Sequence, residues 1–157
     1  MKIKGLVDED FANYRLPSMF IIMPYYSFKC NMYAGYKCCQ NAALSQQPNI
    51  EISAEHIIQR FINNPITNAI VFGGLEPMDS FPEVLDFISK LRDFTDADVV
   101  IYSGYEKHDL EWQIEKLSQF KNIVIKFGRY IPNVNSVYSE VLGVTLASEN
   151  QFAERIS

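Results

Sequence analysis

Residues 68–77 read NAIVFGGLEP, an apolar run that leads directly into a loop with two glycines, an acid and a proline. The run at residues 68–72 is long enough for a buried strand and too short for a helix. Similar apolar runs are MFIIM at 19–23, DVVIY at 98–102, NIVIKF at 122–127 and a weaker one at 141–146. The pattern therefore predicts several short buried strands, each followed by a loop of distinctive composition.

Segments with apolar residues at helical spacing separate these runs. They span residues 54–63, about 82–93 and about 110–117. Ser53 is a good N-cap for the first segment, and Pro82 suits the first turn of the second. Alternating strands and helices are typical of an α/β fold with a mainly parallel sheet. The length of 157 residues predicts a single domain over residues 1–157. Residues 1–18 are mixed in composition, and we expect them to be irregular.

The loops after the predicted strands belong to one edge of the sheet. Right-handed crossovers bring the carboxyl ends of parallel strands to the same edge. The loops expected there are the cysteine-rich segment after residue 23, GGLEP at 73–77, SGY at 103–105, FGRY at 127–130 and SENQ at 148–151. Because α/β proteins bind ligands at this edge, the loops together predict one site.

Single residues in these loops have both a ligand-binding and a structural interpretation. Gly73 and Gly74 either let a ligand approach the backbone closely or form a tight turn. Glu76 either accepts hydrogen bonds from a ligand ammonium or caps the next helix. Ser103 either binds a polar ligand group or serves as a local cap. The two basic side chains at residues 126–129 are more often solvated than bound to a ligand.

All three cysteines lie in FKCNMYAGYKCCQN, residues 28–41. Cys30, Cys38 and Cys39 cannot all pair as disulfides within one chain, and thiolates suit zinc and iron–sulfur clusters. A structural zinc site would need a second pair of ligands, and the two histidines are distant in sequence. Three thiolates on a four-iron cluster would leave one iron open to a small molecule. We therefore expect a metal or cluster here; the alternative is one or two buried structural cysteines with a spare thiol.

The charge and the apolar pattern exclude several classes of protein. The net charge of −5 argues against a general nucleic-acid surface. No run approaches the ~20 apolar residues that span a bilayer. The opening MKIKGLVDED becomes acidic where a signal peptide would become apolar. We expect a cytoplasmic protein whose thiols stay reduced, with neither nucleic acid nor membrane as a partner.

Taken in order, the motifs resemble those of radical S-adenosylmethionine (SAM) proteins, most closely the small activating proteins of anaerobic ribonucleotide reductase. CNMYAGYKCCQN resembles a CNxxCxxCxN-type cluster loop, and GGLEP resembles a GG-acid-P motif. Further similar stretches are DFANY at 10–14, IYSGY at 101–105, KFGRY at 126–130 and SENQ at 148–151. The resemblance therefore runs nearly from end to end.

This resemblance implies a partial (β/α) barrel with mainly parallel strands and a radical SAM oxidoreductase activity. A [4Fe-4S] cluster on three cysteines would bind SAM at its open iron. A reduced flavodoxin-like donor would supply the electron that cleaves SAM to methionine and a 5′-deoxyadenosyl radical. The radical would abstract hydrogen from a glycine of a partner glycyl-radical enzyme, such as anaerobic ribonucleotide reductase.

The resemblance also assigns residues. Cys30 and Cys39 match the family's cluster ligands, and Cys38 is the only cysteine that can replace the middle ligand, which the family pattern places near residues 34–36. The SAM-binding residues would be Gly73, Gly74 and Glu76 around the amino group and Ser103 near the polar groups.

The chain departs from the family pattern in three places. Its cysteines are spaced C-x7-C-C instead of C-x3-C-x2-C, Leu75 separates the glycines from the acid, and Lys126 replaces an acid. Two other hypotheses stay open. One is an iron–sulfur or metal-binding regulatory protein that has lost SAM cleavage, and the other is a structural α/β domain with inert thiols.

Overall fold

The computed structural model describes residues 1–25, 32, 35 and 42–157, and in these residues the chain is a mixed α/β protein. The strands are β1 (Lys2–Ile3), β2 (Gly5–Asp10), β3 (Ser18–Met23), β4 (Ile50–Glu51), β5 (Ala69–Gly74), β6 (Asp98–Tyr102), β7 (Ile123–Phe127), β8 (Val137–Ser139), β9 (Val144–Leu146) and β10 (Phe152–Arg155). The helices are α1 (Ala42–Ser45), α2 (Ala54–Ile62), α3 (Phe81–Leu91) and α4 (Glu111–Leu117). Short 3₁₀ helices, Pro77–Ser80 and Lys107–Leu110, precede α3 and α4.

Six of the described strands form one sheet in the order β10-β7-β6-β5-β3-β2. Its centre consists of β3, β5, β6 and β7, which are parallel and follow one another in chain order. The outer strands, β2 and β10, run antiparallel to β3 and β7. The mainly parallel α/β sheet is therefore confirmed, and its central strands coincide with the four strong apolar runs to within two residues.

Two sequence predictions outside the centre of the sheet were wrong. The first 18 residues are not irregular, because they contain β1, β2 and the start of β3. Strand β2 reads GLVDED and is nowhere fully buried, so it lacks the apolar run by which a central strand is recognised. Of the weak run at 141–146, only β9 forms a strand, and it pairs with β8 in a separate hairpin.

The described helices α2, α3 and α4 pack on one face of the sheet. Successive strand side chains point to opposite faces. In β5, Ile70 and Phe72 pack in a cluster with residues of these three helices, whereas Ala69 and Val71 belong to a second cluster. Tyr14 and residues of the β8–β9 hairpin cover the second face. The parallel strands are thus buried on both sides.

Local contacts explain where the helices begin and how they dock. Oγ of Ser53 accepts a hydrogen bond from N of His56 at 3.1 Å, which confirms the predicted N-cap of α2. On α3, the ring of Phe87 meets that of Phe72 edge-on, with centroids 5.3 Å apart. Truncating such a buried aromatic to alanine costs about 3–5 kcal/mol. Among the described residues, none of the helices is both long and apolar enough to cross a membrane.

Candidate functional site

A pocket of about 420 Å³ lies at the carboxyl ends of the parallel strands β5, β6 and β7. The four residues that the sequence analysis assigned after β5 and β6 all line it: Gly73, Gly74, Glu76 and Ser103. Residues of the FGRY and SENQ loops line it as well. The structure therefore brings these predicted loops to one edge.

The two glycines are required by close packing of the chain itself. Gly74 has a φ of 85°, in the left-handed region, and a Cβ there would overlap Cγ2 of Ile22 on the neighbouring strand. A Cβ on Gly73 would lie 2.7 Å from Cζ of Phe20. The tight-turn interpretation therefore applies to Gly74, and close approach of a ligand to this pair stays a prediction.

Glu76 is the buried acid of the pocket, with 6% of its surface exposed. Its Oε1 accepts a hydrogen bond from N of Met78 at 3.0 Å, and its Oε2 accepts one from N of Gly104 at 2.8 Å. Burial raises the pKa of Glu76 from 4.5 to about 7, against the opposing effect of these backbone hydrogen bonds. The side chain thus caps the Pro77–Ser80 turn, as its structural interpretation predicted, and also ties it to the end of β6.

Ser103 is buried and fixes the turn after β6. Its Oγ accepts a hydrogen bond from N of Tyr105 at 3.1 Å, and its own N donates to the carbonyl oxygen of Lys126 at 2.8 Å. The hydroxyl therefore acts as a local cap in this structure. Its predicted role towards SAM stays a prediction.

Lys126 corrects the expectation that the basic residues here are solvated. Only 6% of its surface is exposed, and its Nζ donates to the carbonyl oxygens of Ser103 at 3.3 Å and of Gly128 at 2.5 Å. It lies between Tyr102 of β6 and Ala153 of β10 in the sheet. The ammonium is therefore held at the floor of the pocket by the strand ends. A lysine inside the apolar run NIVIKF was the available signal for this burial.

Other lining residues were not singled out from the sequence. Asn13 lines the pocket, and its carbonyl oxygen accepts a hydrogen bond from the hydroxyl of Tyr102 at 2.5 Å. Burial raises the pKa of Tyr102 above its ordinary value. On the opposite wall, Nε2 of Gln151 donates to the carbonyl oxygen of Gly128 at 3.3 Å. These contacts join segments that are distant in sequence, so no local sequence pattern predicts them.

The three predicted cluster ligands lie outside the described residues and stay predictions. The flanks of their segment nevertheless reach the pocket. The carbonyl oxygen of Tyr25 accepts a hydrogen bond from N of Glu76 at 2.8 Å, and Leu44 lines the pocket from the other flank. The described part of the chain contains no group of three or more His, Cys, Asp or Glu side chains that could hold a metal ion.

The fold and the site together define an α/β protein with a ligand-sized pocket at the carboxyl ends of its parallel strands and with three cysteines in the sequence between two flanks, residues 25 and 44, that contact or form the pocket lining. The family model of the 4Fe-4S single cluster domain matches residues 25–147, and the chain belongs to this family. It is an iron–sulfur protein. No curated protein and no solved structure matches the chain.

The donor set of the chain fits such a cluster. Thiolates are the protein ligands of iron–sulfur clusters, and the matched region contains all three cysteines of the chain. Of the described residues that flank the cysteine segment, Leu44 lines the pocket and Tyr25 accepts a hydrogen bond from N of Glu76 in the lining.

Proposed function

We propose that the chain is a radical SAM enzyme that cleaves SAM reductively and generates a glycyl radical on a partner enzyme, anaerobic ribonucleoside-triphosphate reductase. One observation carries this proposal: Gly73, Gly74, Glu76 and Ser103 line a single pocket beside the flanks of the cysteine segment. These are the residues that the resemblance to radical SAM proteins assigns to SAM.

The pocket suits the amino end of SAM. Its volume of about 420 Å³ lies in the usual range for small-molecule sites. Glu76 accepts one backbone hydrogen bond on each carboxylate oxygen and a further one from the Ser103 hydroxyl. A carboxylate has about four acceptor positions, so it can also accept a hydrogen bond from a ligand ammonium. A ligand ammonium in contact with Glu76 would favour its ionised form and so offset the effect of burial.

The reaction divides the work between the cofactors and the chain. Cys30, Cys38 and Cys39 would hold the cluster, which would pass on one electron from a reduced flavodoxin-like donor; that electron would break a C–S bond of SAM to give methionine and a 5′-deoxyadenosyl radical. The radical takes one hydrogen atom from a glycine of the partner and becomes 5′-deoxyadenosine. The pocket residues bind SAM and hold it away from water. The proposal places the protein in the cytoplasm, where thiols stay reduced.

The arrangement of the sheet supports a partial (β/α) barrel. The described parallel strands follow one another in chain order, and α2, α3 and α4 pack on one face. A (β/α) barrel is built in this way, with parallel strands inside and helices outside. We infer that the outer antiparallel strands, β2 and β10, stop the barrel from closing.

Anaerobic reconstitution with iron and sulfide tests the proposal. We expect about four irons per chain and formation of 5′-deoxyadenosine after addition of dithionite and SAM. Glu76→Ala should keep the iron but weaken SAM binding, whereas Glu140→Ala, at an exposed acid, should leave both unchanged. With the reductase present, a glycyl radical should appear in the electron paramagnetic resonance spectrum. Four irons without any cleavage of SAM would contradict the proposal.

A second candidate function is an iron–sulfur regulatory protein that no longer cleaves SAM. It is favoured by the structural use of Glu76, whose carboxylate caps a turn and accepts a hydrogen bond from N of Gly104. This candidate predicts that Glu76→Ala lowers stability, and that reconstituted protein contains iron but forms no 5′-deoxyadenosine.

A further inference from the structure

The cysteine segment is followed by a short helix that has little packing of its own. Helix α1 begins three residues after Cys39 in the sequence, and none of its four residues is fully buried. A helix of this length is not stable in isolation, because forming its first turn costs more than so few hydrogen bonds return. The position of α1 therefore depends on contacts with other parts of the chain.

The side chain of Lys4 makes such a contact. Its Nζ donates to the carbonyl oxygen of Ser45 at 3.1 Å and also to the carbonyl oxygen of Gln47. Both carbonyls lie at the C-terminal end of α1, where backbone oxygens lack partners within the helix and lysine side chains often supply them. These two acceptors are 41 and 43 residues away from Lys4 in the sequence.

The backbone of Lys4 is held by the sheet. N of Lys4 donates to the carbonyl oxygen of Ile22 at 2.7 Å, one residue before the end of β3. The preceding residue, Ile3, is buried and pairs with Ile50 of β4. Ile22 precedes the cysteine segment in the chain, and Ser45 follows it. Lys4 therefore joins the two ends of the segment, one through its backbone and the other through its side chain.

We propose that Lys4 is a positioning residue for the iron–sulfur cluster, because it holds α1 and so limits where Cys39 can lie. Three residues of extended chain span at most about 11 Å, so a fixed Ala42 keeps Cα of Cys39 within that distance. A loop whose ends are already held together also loses less conformational entropy when its thiolates bind one cluster. This inference rests on the iron–sulfur family of the chain and not on cleavage of SAM.

The test measures how fast an iron chelator removes iron from the reconstituted full chain under anaerobic conditions. Iron loss is followed by the visible absorption of the cluster, at a temperature where circular dichroism shows every variant to be folded. Lys4→Met should lose iron about tenfold faster than the wild-type chain, as expected for the loss of hydrogen bonds from a charged group. Lys4→Arg keeps N–H donors for the same carbonyls and should restore most of the retention.

Two further variants make the comparison specific. Lys2→Met is the matched control, since Lys2 is an exposed lysine of the same segment whose Nζ lies 3.9 Å from a carboxylate oxygen of Glu51. It should lose iron at the wild-type rate. Lys4→Gln has a shorter and uncharged side chain, so it tests the same loss of contact if the methionine variant folds poorly.

The outcomes separate this role from the proposed function. Iron loss from Lys4→Met and Lys4→Gln at the rate of Lys2→Met overturns the assignment, and so does equally fast loss from Lys4→Arg and Lys4→Met. A wild-type chain that assembles no cluster overturns it together with the proposed function. A wild-type chain that assembles the cluster without cleaving SAM refutes the proposed function alone, and the variants still decide the role of Lys4.

Discussion

Glu76→Gln should change how the stability of the chain depends on pH. The pKa of Glu76 rises from 4.5 in the unfolded chain to about 7 in the folded protein, because burial disfavours the carboxylate. The folded state then binds its proton more tightly than the unfolded state does. This contribution to stability is fully present below pH 4.5 and is lost as the pH rises through 7. Its size is about 3 kcal/mol, at about 1.4 kcal/mol for each pH unit.

Urea unfolding measures this effect on the chain without iron or SAM, in a reducing buffer. The free energy of unfolding is determined from about pH 4.5 to pH 8 for the wild-type chain and for Glu76→Gln. Glutamine has the same shape and does not ionise, so the wild-type stability relative to the variant should fall by about 3 kcal/mol over this range. In Glu76→Gln, the NH₂ group of the new side chain faces the N–H of Met78 or of Gly104 and cannot accept its hydrogen bond. This lowers the free energy of unfolding of the variant by an amount that does not vary with pH.

The control is Glu140→Gln, which removes an exposed carboxylate and should leave the pH dependence unchanged. Parallel curves for the wild-type chain and Glu76→Gln, to within about 0.5 kcal/mol, would refute the reasoning. They would mean that water in the pocket solvates the carboxylate as well as bulk solvent does. Under the proposed function, saturating SAM should flatten the wild-type curve, because its ammonium favours the ionised acid.

Three other predictions follow from the cysteines, from Gly74 and from Tyr14. Alanine in place of any one cysteine should abolish the four-iron cluster, measured as iron content after reconstitution; a full cluster in one variant would remove that cysteine from the ligand set. Gly74→Ala should lower the free energy of unfolding in urea by about 2–4 kcal/mol, since its φ is 85° and the methyl group overlaps Ile22. Gly5→Ala is its control, because that methyl group meets only the side chain of Ile22, at 3.2 Å from its flexible Cδ1. Equal losses in the two variants would contradict the argument. Tyr14→Phe removes a 2.7 Å hydrogen bond to Asp98 and should cost about 1–2 kcal/mol in the same assay, whereas an unchanged stability would show that the bond contributes nothing.

The centre of the fold could be predicted from the sequence because a strand that is buried on both faces contains a continuous run of apolar residues. β5 contains the apolar run AIVF and β6 contains VVI, and all seven of these residues are buried. The outer strands contain no such apolar run. β2 is partly exposed along its whole length, and β10 reads FAER with no buried residue. Their pairing is decided by contact with β3 and β7, which is tertiary information.

The site was predictable to the extent that strand order fixes loop position. Parallel strands alone place GGLEP and SGY side by side, and the pocket contains both. Lys126 was assigned to solvent because a lysine near a strand end usually extends into water. Its burial depends on carbonyl groups of Ser103 and Gly128, whose directions the sequence does not encode locally. The cluster ligands were predicted from thiol chemistry and stay a prediction.

The residue inserted between the glycine pair and the acid does not take the acid out of the pocket. One residue of extended chain spans about 3.3 Å, enough to withdraw a carboxylate from a ligand. Here the backbone turns at Gly74 with a φ of 85°, and Leu75 is buried in the pocket lining with 7% of its surface exposed. Glu76 then bonds N of Met78 and N of Gly104 within the same lining. Because the extra residue is taken up in a turn and not in extended chain, the position of the acid depends on the left-handed conformation of Gly74 more than on the length of the loop.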